Sequence, residues 1–206
     1  PLVSIVVPAE GTVTETILTV VDIDKCLSRA DYSWELIVIN PSNGSELPTA
    51  IHAMTKTIKN LKIVTSDPGE SSASSIRRSM LLAGGQIRFL VRTGKSVSLD
   101  QASNLIPYIN NGADVVVGHL LNESHPKFEV TSIYEFGLRK LSNFAVRFFI
   151  KGVHEPLSRF LVFREEAAEK IFDPLKATNQ LLNVKILISA KKLGFKIVNA
   201  PVYFSS

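Results

Sequence analysis

Arg92, Thr93, Gly94 and Lys95 follow directly on a short apolar run, Ile87 with Phe89, Leu90 and Val91, and set a guanidinium and an ammonium on a glycine-containing turn. Such a pair attracts anions and repels divalent cations. With Ser96, the turn ends Gly94-Lys95-Ser96, as a nucleotide phosphate loop does, yet the first glycine of that motif would fall on Phe89 inside the apolar run. A Walker-type nucleoside triphosphatase is therefore set aside. The charges are read either as an anion site or as solvated turn residues.

Other chemistries find less. No G-x-G-x-x-G follows a strand pattern, which argues against a dinucleotide fold, and no G-x-S-x-G elbow is present for a serine hydrolase. His52, His119, His125 and His154 lack metal-ligand spacing, and Cys26 is the single cysteine, among Ile23 and Leu27 in a helical pattern. Neither a thiolate metal site nor a disulfide framework can be built from it.

A ligand-holding turn needs a sheet behind it. Val3 to Val7 reads as a strand ended by Pro8, and Thr12 with Glu15 has the spacing of a capping box for the helix that follows. Trp34 to Ile39 is the second strand, closed by Asn40-Pro41-Ser42-Asn43-Gly44-Ser45, and a helix over 46–59 follows. Leu61 to Val64 is the third strand. A serine-rich helix start at Ser71 to Ser75 leads to Gly84-Gly85 and the central strand at 87–91. Ser98 to Gln101 has capping-box spacing for a helix reaching Asn110, and Asp114 to Gly118 is a fifth strand.

The alternation of strand and helix predicts a mainly parallel sheet in an α/β fold. In open sheets of that kind ligands sit beyond the carboxyl ends of the strands, which is where Arg92 and Lys95 fall. After His119 the rhythm changes. A polar loop over 120–130 precedes a helix from Thr131 to Lys151, with Phe136, Phe144 and Phe148 on one face and Arg139, Lys140, Arg147 and Lys151 on the other. Such a helix fits a membrane interface or an ordinary core-facing position. Phe160 to Phe163 is a strand, helices occupy 165–172 and 179–193, and Lys196 to Tyr203 is the last strand.

The 206 residues, 45% hydrophobic, suffice for one sizeable core, and the chain is expected to form one domain over 1–206. A net charge of +4 favours anionic partners without choosing among them. No basic stripe interleaved with aromatics suggests nucleic acid. With no signal-peptide pattern and no apolar run of membrane-spanning length, a cytoplasmic location is expected.

Read in order, the motifs resemble a family 2 glycosyltransferase with the GT-A fold, nearest to dolichyl- or other polyprenyl-phosphate mannosyl- and glucosyltransferases. The resemblance rests on Val3 to Ala9, Glu35 to Ile39, Ala83-Gly84-Gly85, Gly112 to Gly118, Asn143 with Arg147, Phe163 to Ala167, Ala190 to Ile197, and Pro201-Val202. It covers nearly the whole chain and implies a three-layer GT-A (nucleotide-diphospho-sugar transferase) sandwich. The family's acidic stations are replaced here. Its Pro-x-Tyr-Asn-Glu turn is Pro8-Ala9-Glu10-Gly11-Thr12, and its Asp-Asp-Gly-Ser is Asn40-Pro41-Ser42-Asn43. The metal-binding Asp-x-Asp is Arg92-Thr93-Gly94, the later acidic motif is Glu155 to Phe160, and a helical glutamate aligns with Lys185.

Loss of the carboxylates removes the oxygen ligands that Mg²⁺ or Mn²⁺ requires, so no divalent metal is expected and no catalytic residue is assigned. The expected function is a catalytically inactive homologue acting as a binding or regulatory module. The alternatives are an active, metal-independent transferase moving a sugar from a UDP- or GDP-sugar to a polyprenyl phosphate or other acceptor, and a membrane-surface scaffold. Nucleotide or phosphate contacts are expected from Pro8, Glu10, Asn40, Arg92 and Lys95. Acceptor or lipid-phosphate contacts are expected from Arg139, Arg147, Ser158 and Arg159, with solvated surface positions as the competing reading. Expected partners are a nucleotide or nucleotide sugar, a lipid phosphate or membrane surface at the cytoplasmic face, or a protein.

Overall fold

The computed structural model describes residues 2–41, 47–93, 103–120, 158–175 and 182–202. Lys95, the 98–101 capping box, the expected helix at 131–151 with Arg139 and Arg147, and Glu155 lie outside them.

Among the described residues seven strands form one sheet: β1 (Val3–Pro8), β2 (Trp34–Asn40), β3 (Leu61–Thr65), β4 (Ile87–Val91), β5 (Val115–Leu120), β6 (Phe160–Arg164) and β7 (Ile197–Val202). Their spatial order is β3-β2-β1-β4-β6-β5-β7. All neighbours pair in parallel except β6, which runs antiparallel to both β4 and β5, with Val91 opposite Phe160.

The helices among the described residues are α1 (Val13–Leu27), α2 (Leu47–Thr55), α3 (Ser72–Leu82), α4 (Ile106–Asn110, after a 3₁₀ turn at Ser103–Leu105), α5 (Glu165–Phe172) and α6 (Leu182–Lys192). Helix α2 ends at Thr55, short of the expected 59, where Lys56 N and Thr57 N turn back onto Ala53 O and Met54 O. No helix among the described residues is long and apolar enough to cross a membrane.

Two apolar layers flank the sheet. The period-two alternation of the central strands sends Val3, Ile5, Val7, Ile87, Phe89 and Val91 to one face, against Val20, Ile23 and Leu27 of α1 and Ile51 of α2. Val6 and Leu90 face the other side with Ile76 and Met80 of α3, Ile171 and Phe172 of α5, and Leu187 of α6. Each such burial contributes about 1.5–3 kcal/mol, so the three layers follow from strand and helix periodicity together.

Helix starts are fixed locally. Thr12 Oγ1 accepts from Glu15 N at 3.2 Å while Glu15 Oε2 accepts from Thr12 N at 2.9 Å, the reciprocal cap expected from the spacing. Ser71 Oγ accepts from Ser74 N at 3.1 Å at the start of α3. That helix stops where Ala83 turns extended, delivering Gly84-Gly85 to the foot of β1.

Two charges among the described residues sit inside the fold. Arg88 in β4 is 2% exposed; its guanidinium donates to Gly85 O and Met80 O and pairs with Glu165 and Glu169 of α5. Glu35 in β2 accepts from Ser4 Oγ, Lys62 Nζ and Gly84 N. Burial works against its ionisation, but the bonds from Lys62, Ser4 and Gly84 outweigh it and hold its pKa below the ordinary value.

Candidate functional site

The strand order reverses between β1 and β4, since the chain winds from β1 outward to β3 and returns to β4 on the other side. Such a reversal opens a crevice beyond the carboxyl ends of the two strands. Pro8, Glu10, Arg92 and Thr93 lie at those ends, and Asn40 ends the neighbouring β2.

Short backbone ties hold the crevice floor. Ala9 N donates to Ile39 O at 3.0 Å, and Pro8 O accepts from Glu10 N at 2.9 Å. Gly11 N donates to Thr93 Oγ1 at 3.1 Å, and a Cβ on Gly11 would stand 3.2 Å from that oxygen and 2.6 Å from Glu15 Oε2. A glycine thus lets the β1–α1 turn close onto the end of β4. On the far side Arg92 N donates to Arg159 O at 3.0 Å and Arg159 Nη1 to Thr93 O at 3.3 Å. The two arginines are brought together by one main-chain bond and by the Arg159 guanidinium on the Thr93 carbonyl.

Ser72 is positioned by the loop before α3. Arg78 holds Glu70 at 2.7 Å and reaches Thr65 O, while Glu70 Oε2 accepts from Asp67 N. The Arg78 hydrogen bond is the main reason that the Glu70 carboxyl lies below its usual pKa and Arg78 above its own. From this fixed loop Ser72 Oγ donates to Glu10 Oε1 at 2.6 Å. Glu10 Oε2 lies 3.5 Å from Arg92 Nη1, with the two side chains 35% and 29% exposed.

Two polar atoms of the crevice are left over among the described residues. Arg92 Nε is shielded from solvent with no acceptor there, and Oδ1 of Asn40, a residue only 4% exposed, has no donor. An orphan of this kind costs about 1–3 kcal/mol, a cost expected where a ligand completes the network. The orphaned donor on Arg92 suits an anion; the orphaned acceptor on Asn40 suits an N–H such as that of a nucleobase.

Ser158 is placed differently from the surface loop entertained for it. It is 2% exposed, its hydroxyl donates to Gly118 O and accepts from Phe160 N at 3.0 Å, and its carbonyl accepts from Asn183 Nδ2 at 2.9 Å. Gly118 leaves room for this junction, since a Cβ there would stand 2.9 Å from that of Phe160. The Ser158 hydroxyl is committed to joining β5 and β6, and its carbonyl ties them to α6. Arg159, half-buried, remains at the crevice rim.

Sequence reasoning missed Ser72 and the tie that Thr93 makes to Gly11. The capping pattern of α3 could have pointed to Ser72, but its contact with Glu10 joins residues 62 apart in sequence and has no local signature.

No family model matches the chain, and no curated protein matches it. Solved structures do. Glucosyl-3-phosphoglycerate synthase from Mycobacterium tuberculosis in complex with phosphoglyceric acid superimposes with a TM-score of 0.69 at 20% identity, covering 99% of this chain and 71% of that one. The same enzyme with Mn²⁺, UDP-glucose and phosphoglyceric acid gives 0.67 at 19% identity, covering 99% and 70%. Its complex with Mg²⁺ and UDP gives 0.66 at 18%, again covering 99% and 70%.

The second and third of these structures correct the expectation that a divalent metal has no part, because they hold Mn²⁺ or Mg²⁺ together with the nucleotide. Among the described residues no group of three His, Cys, Asp or Glu side chains could hold such an ion. Glu10, the carboxylate facing Arg92, is already engaged by Ser72 and that guanidinium, so the described residues do not fit a metal shell on their own. The agreement in seven-stranded, mostly parallel topology over almost the whole chain shows that the protein has the GT-A fold of nucleotide-sugar glycosyltransferases.

Proposed function

We propose that this GT-A domain binds a nucleoside diphosphate, in the cell a UDP- or GDP-sugar, across the carboxyl ends of β2, β1 and β4. The observation that carries the reading is Arg92: a guanidinium at the topological switch point, its Nε buried without an acceptor among the described residues and its paired carboxylate at 3.5 Å. A diphosphate presents several oxygens in the spacing a guanidinium fork accepts bidentately, and such bonds are about twice as strong as neutral ones. Pro8 walls the crevice. Asn40 supplies the acceptor for the base, and Lys95 stands three positions after Arg92 in the sequence as a second cation.

Arg159 sets a second guanidinium at the rim beside Arg92, a group whose chemistry suits an acceptor that itself carries phosphate. Phosphoglyceric acid and glycerol 3-phosphate, which are bound in the similar structures, have that chemistry, as does a polyprenyl phosphate.

A second reading, binding without turnover, is favoured by the pairing of Glu10. A general base must be free to take the acceptor's proton, and Glu10 is held between Ser72 and Arg92.

Calorimetric titration with UDP, GDP and their glucose and mannose esters, with and without Mn²⁺, tests the binding. Micromolar to millimolar affinity that drops at least about tenfold in Arg92→Ala is expected; silence with every nucleotide would overturn it. Product formation from 3-phosphoglycerate or from polyprenyl phosphate with Mn²⁺ would decide for transfer and name the acceptor class, and no product beside clear binding would decide for the module.

A further inference from the structure

Glu10 faces Arg92, and its two oxygens are held unequally. Oε1 takes a short hydrogen bond from Ser72 Oγ, 2.6 Å, whereas Oε2 stands 3.5 Å from Arg92 Nη1 and leaves the buried Nε without a partner among the described residues. The carboxylate thus neutralises the guanidinium while satisfying only part of its donors.

We infer that Glu10 is an internal counter-ion, a carboxylate that holds the anion position at Arg92 and must be displaced by the phosphate of an incoming ligand. The inference rests on the anion reading of the crevice given above and adds to it a residue that opposes binding. Hydrogen bonds from the flanking amides fix the backbone on either side of Glu10, from Ala9 N to Ile39 O and from Gly11 N to the Thr93 hydroxyl, while its side chain is about one-third exposed. The carboxylate can therefore swing to solvent without moving the turn.

Two anions of like sign cannot share one partly buried guanidinium without repulsion. A diphosphate wins the exchange because it can reach Nε and Nη together, which the carboxylate at 3.5 Å does not. A ligand with a single weak anionic group gains little over Glu10 itself. The counter-ion thereby discriminates in favour of polyphosphate.

The test is calorimetric titration of UDP and of inorganic pyrophosphate into the whole chain and its Glu10→Asp, Glu10→Gln and Ser72→Ala forms. Glu10→Asp keeps the charge but withdraws it by one methylene, and Ser72→Ala removes the hold on Oε1; both are expected to bind roughly two- to five-fold tighter. Glu10→Gln is expected to gain at least as much. Unchanged or weaker binding in Glu10→Asp and Ser72→Ala overturns the inference, including the case in which only Glu10→Gln gains, since that is the effect of net charge without the contact. If wild type binds and the variants do not improve, the inference alone fails; if no form binds either ligand, the anion reading fails with it.

Discussion

Gly85 and Ser4 lie so close that a Cβ at residue 85 would stand 2.6 Å from both the amide nitrogen and Oγ of Ser4. The contact is a joint: Gly85 N donates to Ser4 Oγ at 2.8 Å, and Ser4 Oγ donates on to Glu35 Oε1 at 2.5 Å. It docks the end of the α3 loop onto β1 at the foot of the sheet, opposite the crevice. Gly85→Ala forces backbone apart, because an obstructing atom belongs to the main chain of β1. A loss of about 3 kcal/mol is expected, read as a lowered urea midpoint at unchanged slope; a wild-type midpoint would show the joint to be loose.

Glu35 makes stability depend on acid. Its folded-state pKa is held below the ordinary 4.5, so its contribution is complete above that value and disappears as pH falls through the lower, folded one. Urea unfolding from about pH 6 to about pH 3 should show wild type losing more stability than Glu35→Gln. Parallel curves would mean that Lys62, Ser4 and Gly84 do not favour the charged form.

Arg88 is expected to matter more than its ion pairs. Glu165 and Glu169 are half-exposed and can be hydrated without it, but Met80 O and Gly85 O lose their donor in the core. Arg88→Ala should cost about 3–5 kcal/mol, and Glu165→Gln with Glu169→Gln together, which keep acceptors near the guanidinium but remove its counter-ions, a smaller loss of about 1–3 kcal/mol, both by chemical denaturation. Equal losses would place the stabilisation in the ion pairs.

Asn40 should show opposite signs for stability and binding. Its Oδ1 is buried and unpartnered among the described residues, so Asn40→Leu, similar in volume, is expected to leave the fold unchanged or raise stability by up to about 2 kcal/mol. The same change should weaken UDP binding by about tenfold or more. Loss of stability with intact binding would remove Asn40 from the site.

The architecture was legible because strands of uniform apolar residues alternate with capped amphipathic helices; the Thr12 and Glu15 cap and the Ser71 start carry their signals within a few residues. The direction of β6 was not, since Phe160-Leu161-Val162-Phe163 is apolar throughout and reads the same both ways. Nor were the buried charges. Arg88 and Glu35 sit inside strand patterns, and their partners Glu169 and Lys62 are 81 and 27 residues away. The cationic turn was visible at Arg92, but its pairing with Glu10 depends on β1 lying beside β4, which only the sheet order reveals. The missing acidic motifs do not by themselves end metal chemistry, because several of the similar solved structures carry Mn²⁺ or Mg²⁺ with their nucleotide.

The most direct test is a crystal structure of the chain grown with UDP and Mn²⁺. The diphosphate should lie at the ends of β1 and β4 with an oxygen within about 3 Å of Arg92 Nε or Nη1, Glu10 turned away and the uracil at Asn40. A nucleotide bound elsewhere, or one in the crevice with Glu10 still paired to Arg92, would contradict the account.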